Sequence, residues 1–259
     1  MPMTTKFFNL EQKQNKKFLI FGIFVFITTL LGIIKNIVMY QPFIIESQTL
    51  DIDILFGRAS SIFYFTYQTN FLLSIALIVV ALRPNSMSAR QFLFGSTSLI
   101  TITFLVYWTL IGPFNSWNNF WHSIVSITTH LINPLIGFYA LYLIKNKLIV
   151  NKRVILIASF YFFSYFIFQA LIYSSTFKEW NYIAPDGKEI KFYDGISIYE
   201  FSNYSKPFLY KEKYMPLVIV LDLILFVLAI VFPLLISLFW KKVYKIKIQK
   251  KKFALLNKK

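Results

Sequence analysis

Six long apolar runs separated by polar or charged connections set the pattern of the chain. They extend approximately from Phe18 to Tyr40, Ser61 to Leu82, Phe92 to Gly112, Trp121 to Ile144, Val154 to Ser174 and Met215 to Trp240. Crossing about 30 Å of hydrocarbon at 1.5 Å of helix rise per residue takes about 20 residues, and each run supplies them. Helices this long and this apolar on every face do not suit a soluble core. The expected fold is all-α, a polytopic six-transmembrane-helix bundle, with a basic arm at 1–17, a membrane domain at 18–240 and a basic tail at 241–259.

The fifth connection, roughly Thr176 to Tyr214, is the only sizeable region predicted outside the lipid. Pro185-Asp186-Gly187 is a turn signature between two strand-like runs, Trp180 to Ile183 and Glu189 to Tyr193, so a small β-hairpin is expected there. Asn203-Tyr204-Ser205 fits a glycosylation sequon, a pattern that often arises by chance. No internal repeat is visible.

Composition agrees with a membrane chain. Hydrophobic residues make up 57% and the mean hydropathy is +0.59, more apolar surface than one soluble core buries. Only 15% of residues are charged, yet the net charge is +16, so the basic excess is concentrated. Lys6, Lys13, Lys16 and Lys17 precede the first run; Arg83 and Arg90 lie in the second connection; Lys145, Lys147, Lys152 and Arg153 lie in the fourth; nine lysines from Lys241 to Lys259 form the tail. The first connection sets Glu46, Asp51 and Asp53 against Arg58, the third has no charge, and the fifth balances six lysines with six carboxylates. The positive-inside rule then puts both termini in the cytoplasm of a multi-pass cell-membrane protein. Membrane lipids are the expected partners. Nucleic acid is not, because the lysines flank apolar runs instead of forming a patch with interleaved aromatics. The tail is expected to rest near anionic headgroups. The absence of cysteine excludes disulfides, thiolate metal sites and a Cys nucleophile, and no cofactor is expected. The first run is too long for a cleavable signal peptide and no small-residue cleavage site follows it.

Charged or strongly polar side chains are costly inside lipid, so those present are the informative ones. They are Lys35 in the first span, Thr66 and Asn70 in the second, His130 and Asn133 in the fourth, and Asp222 in the sixth. Given the topology, Lys35, Thr66, His130 and Asp222 fall about five to ten residues from the outer ends of their helices, or roughly 7 to 15 Å deep. A shared polar cavity follows as an expectation. Each residue also has a plainer role: Lys35 snorkelling to the interface, Thr66 bonding back to the carbonyl of residue 62, Asn70 and Asn133 gluing helices together, and Asp222 pairing structurally with His130 or Lys35. His122, beside Trp117 and Trp121, suits an interfacial aromatic belt. Thr66 and Asn70, at i and i+4, share a face from which Gln68 points away. Pro134 lies four after His130 and has no N–H, so it frees the His130 carbonyl and is expected to kink the helix there.

Three runs resemble a family, the androgen-induced membrane hydrolases and their bacterial relatives. Tyr64-Phe65-Thr66-Tyr67-Gln68-Thr69-Asn70 is similar to a "YFTxQ(S/T)N" run; His130-Leu131-Ile132-Asn133-Pro134-Leu135 resembles "HxxxPL"; Pro207-Phe208-Leu209 resembles "YPFL", with Lys206 in place of its tyrosine. The resemblance implies lipid-ester hydrolysis with Thr66 and His130 catalytic. On chemical grounds a threonine hydroxyl needs an adjacent base, which His130 supplies, and a third group to orient the imidazole, for which Asp222 is the candidate. Asn70 and Asn133 are candidate oxyanion donors and, with Lys35, candidate substrate-binding groups. The competing readings are a transporter or substrate-binding subunit that uses Lys35, His130 and Asp222, and a structural protein whose polar layer only fixes packing. No G-x-S-x-G or H-E-x-x-H run is present, so rhomboid-like and zinc-protease chemistry has no anchor.

Overall fold

A computed structural model describes residues 3–40, 50–114, 117–183, 187–210, 212 and 214–249. The turn residues Pro185 and Asp186, Glu46 and the tail from Lys250 onward lie outside them. Six helices are long and apolar enough to cross a membrane. We label them α1 (Met3–Val38), α2 (Phe65–Leu82), α3 (Met87–Val106), α4 (three consecutive segments, Phe120–Ile127, Thr128–Ile132 and Asn133–Ile144), α5 (Lys152–Thr176) and α6 (Met215–Val243). The chain is a multi-pass all-α membrane protein. The arm at 1–17 is not a separate segment, since α1 already begins at Met3.

The outward face of the bundle is apolar, as a bilayer requires. Along α6, Ile219, Leu223, Val227 and Ile230 form an exposed stripe at helical spacing, while Leu225, Ala229 and Ile236 are buried. The bundle interior carries small and hydroxylated residues that let helices approach and hydrogen-bond. Thr69 bonds Thr103 at 2.8 Å, Ser98 meets Ser237 at 3.2 Å, and the Trp240 indole donates to Thr101 at 2.8 Å. At Gly22 an added Cβ would lie 2.6 Å from Ile78, so only glycine permits the observed approach of α1 to α2.

The two ends of the bundle differ. At the basic end the Gln14 amide donates to the Leu143 carbonyl at 3.1 Å, and Arg90 and Gln91 donate to the carbonyls of Lys147 and Ile149. Two-residue strands, β1 (Ile149–Val150) and β4 (Lys247–Ile248), pair in parallel and attach the start of the tail there.

The opposite, hairpin end carries β2 (Lys178–Ile183) and β3 (Glu189–Asp194), antiparallel with Lys178 opposite Asp194 and Ile183 opposite Glu189. The expected hairpin is present, longer by two residues on the first strand and one on the second. The buried Asp194 carboxylate ties the following segment down. It accepts from the Tyr173 hydroxyl (3.0 Å), the Ser205 hydroxyl (2.9 Å), the Asn203 amide and the Gly195 N–H, and it pairs with Lys206 at 3.2 Å. The Asn203 side chain is therefore consumed inside the fold, and the sequon is not displayed. Lys206, standing where the resembled run has tyrosine, takes the role of cation to Asp194.

Candidate functional site

The second helix starts inside the bundle. A 3-10 turn over Gly57–Phe63 ends at Tyr64, whose extended backbone (φ −69°, ψ 129°) restarts the chain as α2 at Phe65. This break leaves Thr66 in the first turn, where N–H groups have no intrahelical acceptor. It also removes the turn against which Thr66 would bond back. The carbonyl of Ile62 accepts from the Gln68 amide instead, at 3.2 Å. Tyr165 from α5 braces the break, accepting from the Phe65 N–H at 3.2 Å and donating to the Phe63 carbonyl at 2.9 Å.

Released from its own helix, the Thr66 hydroxyl lies 3.2 Å from His130 Nε2. His130 belongs to a π-helical turn, Thr128–Ile132, closed by the Asn133 N–H reaching the Thr128 carbonyl. Such turns insert one extra residue into a helix and are frequent at functional positions. Here the cause is Pro134, which cannot donate to the carbonyl of His130. The freed carbonyl accepts from the Trp108 indole at 3.0 Å. A second π turn, Tyr107–Ile111, faces it and lays the Tyr107 ring flat on the imidazole, with centroids 3.6 Å apart at 15°.

The imidazole has a defined tautomer. Its Nδ1 lies 2.9 Å from the Ser126 carbonyl oxygen, which can only accept, so Nδ1 carries the proton. The Thr129 hydroxyl donates to the Val125 carbonyl at 2.8 Å and lies 3.1 Å from Nδ1, consistent with a shared bond. Nε2 is thereby left as an acceptor, and Thr66 donates to it. The group that orients His130 is a backbone carbonyl, not Asp222.

Thr66 opens on a cavity of about 340 Å³ walled by apolar side chains that include Phe65, Tyr107, Phe208, Leu225 and Phe232. Tyr199, carried in by the segment after the hairpin, lines it too. Burial pushes the Tyr199 phenol up from its ordinary value, against hydrogen bonding with the side chain and backbone of Thr66, the hydroxyl of Tyr165 and the backbone of Phe65. Tyr199 is therefore a neutral hydroxyl held beside Thr66.

The other expected residues go elsewhere. Asn70 and Asn133 are fully buried and saturated: Asn70 donates to the carbonyls of Thr66 (2.8 Å) and Thr129 (3.2 Å), and Asn133 donates to Asn70 Oδ1 (2.7 Å) and the Thr28 hydroxyl (3.2 Å). With their amide hydrogens spent and no place on the cavity wall, neither is available as an oxyanion donor. Lys35 lies near His122 at the hairpin end and has no hydrogen bond or ion pair with any described residue. Asp222 lies near Tyr204 between α5 and α6, and its Oδ1 is buried without a partner among the described residues. The common layer thus divides: Thr66 and His130 meet, while Lys35 and Asp222 join neither. Tyr199, Tyr107, Trp108 and the Ser126 carbonyl were not singled out by the sequence. Three are aromatic in a chain that is 20% aromatic, and the fourth is a main-chain atom, so composition offered no signal. Among the described residues no three His, Cys, Asp or Glu side chains are grouped as a metal site would need.

Fold and site together define a six-helix membrane protein with a threonine–histidine pair whose threonine lines an apolar cavity. Comparison with protein-family models, curated proteins and solved structures finds no match.

Proposed function

We propose that this chain is a hydrolase of lipid esters with Thr66 as nucleophile and His130 as general base. The observation that carries the reading is the 3.2 Å contact from Thr66 Oγ1 to an Nε2 left as acceptor by the Ser126 carbonyl. A base must lie within hydrogen-bond reach of the proton it removes, and this one does. The three runs that resemble the androgen-induced membrane hydrolases support the same assignment, since Thr66 and His130 are the residues that resemblance marks.

In this mechanism the acyl chain lies in the apolar cavity with its ester carbonyl at Thr66. As the Thr66 proton passes to Nε2, Oγ1 bonds to the carbonyl carbon and the carbonyl oxygen takes up negative charge. The Tyr199 hydroxyl, held beside Thr66, is the donor for that oxyanion. Collapse breaks the ester C–O bond, and the departing alkoxide takes the Nε2 proton. Water then repeats the sequence on the acyl-threonine, losing its proton to Nε2 and releasing the acid. Tyr107, stacked on the imidazole, and Trp108, on the His130 carbonyl, hold the ring in plane.

The basic end of the bundle belongs on the cytoplasmic side of the cell membrane by the positive-inside rule. The hairpin and cavity then face outward. Tyr199, Phe201 and Phe208, from the segment after the hairpin, line the cavity, and in this reading a lipid ester enters sideways from the outer leaflet. The test is turnover of a fluorogenic long-chain acyl ester by the purified protein in nanodiscs. Release of the fluorophore that Thr66→Ala abolishes is expected; release unchanged in that variant would refute the assignment.

A further inference from the structure

The cavity wall differs from side to side in its exposure at the bundle surface. The residues that α5 contributes, Phe162, Tyr165, Phe166 and Gln169, are all buried. The exposed lining residues are Thr109 on α3 and Leu228 on α6, and every other one is buried or half-buried. Thr109 donates its hydroxyl to the Leu105 carbonyl at 2.7 Å, so its polar atom is satisfied within its own helix. Toward the basic end, α3 and α6 are tied by the Ser98–Ser237 contact and the bond from Trp240 to Thr101. The lining begins beyond those ties, at Ile102 and Phe232, and runs on to Ile111 and Leu225, so the two helices flank the cavity toward the hairpin end. Counting eleven residues along α3 and back along antiparallel α6 from the Ser98–Ser237 contact sets Thr109 and Leu228 within about one helical turn of the same depth. The seam on the other flank of α6 is filled: Tyr204 stacks on Phe226 with centroids 5.9 Å apart and donates to the Phe166 carbonyl on α5 at 3.4 Å.

We propose that α3 and α6 form a slot at Thr109 and Leu228 through which one uncharged hydrocarbon chain passes from the bilayer into the cavity, and that Ala229 keeps open the space this chain occupies. Among the described residues no charged side chain lines the cavity, so a charged headgroup would be buried there unpaired. At about 30 Å³ for a water-sized group such as a methylene, a cavity of about 340 Å³ takes about eleven, which is one chain and not two. Leu225, Ala229 and Phe232 stand at i, i+4 and i+7 on α6 and share the face that lines the cavity, so the small residue between two large ones leaves a hollow along it. The proposal rests on the hydrolase reading for its consequence, which is that the chain is the acyl part of the ester and that Ala229 sets how much of it fits. Leu228 and Ala229 touch the chain alone and take no part in the chemical step.

The test uses an ether, which cannot be hydrolysed, so it does not depend on turnover. Dodecyl methyl ether carrying a mid-chain diazirine is photolysed with the full-length protein in nanodiscs, with and without excess unlabelled ether, and the adducts are mapped by peptide mass spectrometry. Saturable labelling of the cavity face of α3 and α6 is expected, and Ala229→Phe should raise the concentration for half-saturation about tenfold, as displacing two buried methylenes does. The chain has no cysteine, so a thiol reagent acts only where one is introduced. Leu228→Cys treated with benzyl methanethiosulfonate should lose most of the saturable labelling and regain it in the same sample on reduction. Val227→Cys, one residue away, 58% exposed and not on the cavity wall, should show no such loss. Labelling of the native chain that excess ether does not displace would overturn the slot, as would equal effects of modification at the two positions or native half-saturation in a folded Ala229→Phe. Because reduction restores the modified chain, a variant that fails to fold does not blunt the test. Saturable labelling without ester turnover would remove the hydrolase reading alone, and turnover untouched by modification at Leu228→Cys would remove the slot alone.

Discussion

Two polar clusters tie α2 to α4, and they differ in whether their hydrogen-bonding capacity is spent. One joins Asn70, Asn133 and Thr28, fully buried at the first two, with every amide hydrogen placed within 3.2 Å of an acceptor. The other joins Thr66 and His130, one helical turn away on the same two helices, and opens on a cavity with a proton acceptor directed at a hydroxyl. A residue's cost in lipid does not distinguish the two, since all four side chains are expensive there. What separates glue from chemistry is the unspent capacity. A saturated network fixes geometry, and a pair with an open side can accept a reactant.

The contrast can be tested by substitutions taken in order of expected effect. Thr66→Ala should lower ester turnover by about a thousandfold or more, as loss of a nucleophile does, with the melting temperature in nanodiscs nearly unchanged. Thr66→Ser should retain measurable turnover, because the hydroxyl is kept. An equal loss of activity and of folding in Thr66→Ala would erase the distinction between the clusters.

The second test concerns the link between the first connection and the Tyr199 side of the cavity wall. Asp51 accepts from the Tyr64 hydroxyl at 3.0 Å, and Tyr64 packs against Tyr199 with centroids 5.7 Å apart. Burial, and then the neighbouring Asp53, raise the Asp51 carboxyl to about 6, against hydrogen bonds from the Asp53 N–H and Tyr64. A folded pKa above the unfolded one means that the folded state binds the proton more tightly. The associated stability is present below about pH 4 and is lost as pH rises through 6, by about 3 kcal/mol in full. Asp51→Asn should flatten that slope of stability against pH between 4 and 7, followed by thermal melting. A slope unchanged in the variant would contradict it.

Smaller effects are expected from the saturated cluster. Asn133→Leu should cost about 1 to 2 kcal/mol of stability in bicelles, near the upper range for interhelical hydrogen bonds in membranes. The turnover of the folded fraction should stay within about threefold of the native value, since a packing role leaves the pair's chemistry intact. Trp108→Phe, which bares the His130 carbonyl, should cost about 1 kcal/mol, read by the same melts.

Much of the architecture was legible in the sequence because lipid imposes simple rules. Six runs of sufficient length gave six helices, and the turn signature in the charge-balanced fifth connection gave its hairpin. The pairing of Thr66 with His130 could be anticipated from depth and from the motif resemblance, and Pro134 signalled the irregular turn and freed carbonyl at His130. The rest depended on features without a residue signature. The break at Tyr64 has no proline or glycine to mark it, and it is what turns Thr66 outward from its own helix. The proton on His130 Nδ1 is set by a main-chain oxygen. Tyr199 arrives from 133 positions beyond Thr66 through a fold-back held by Asp194. Depth alone placed Asp222 with His130, but depth says nothing about which way a helix face turns, and α6 turns that face toward α5.

The most direct measurement is intact-protein and peptide mass spectrometry after incubation with a long-chain fluorophosphonate, which reports whether Thr66 is activated by His130. One adduct is expected on the native chain, mapped to Thr66, absent from Thr66→Ala and strongly reduced in a folded His130→Ala. An unmodified native chain, or an adduct that survives Thr66→Ala, would contradict the assignment of these two residues as nucleophile and base.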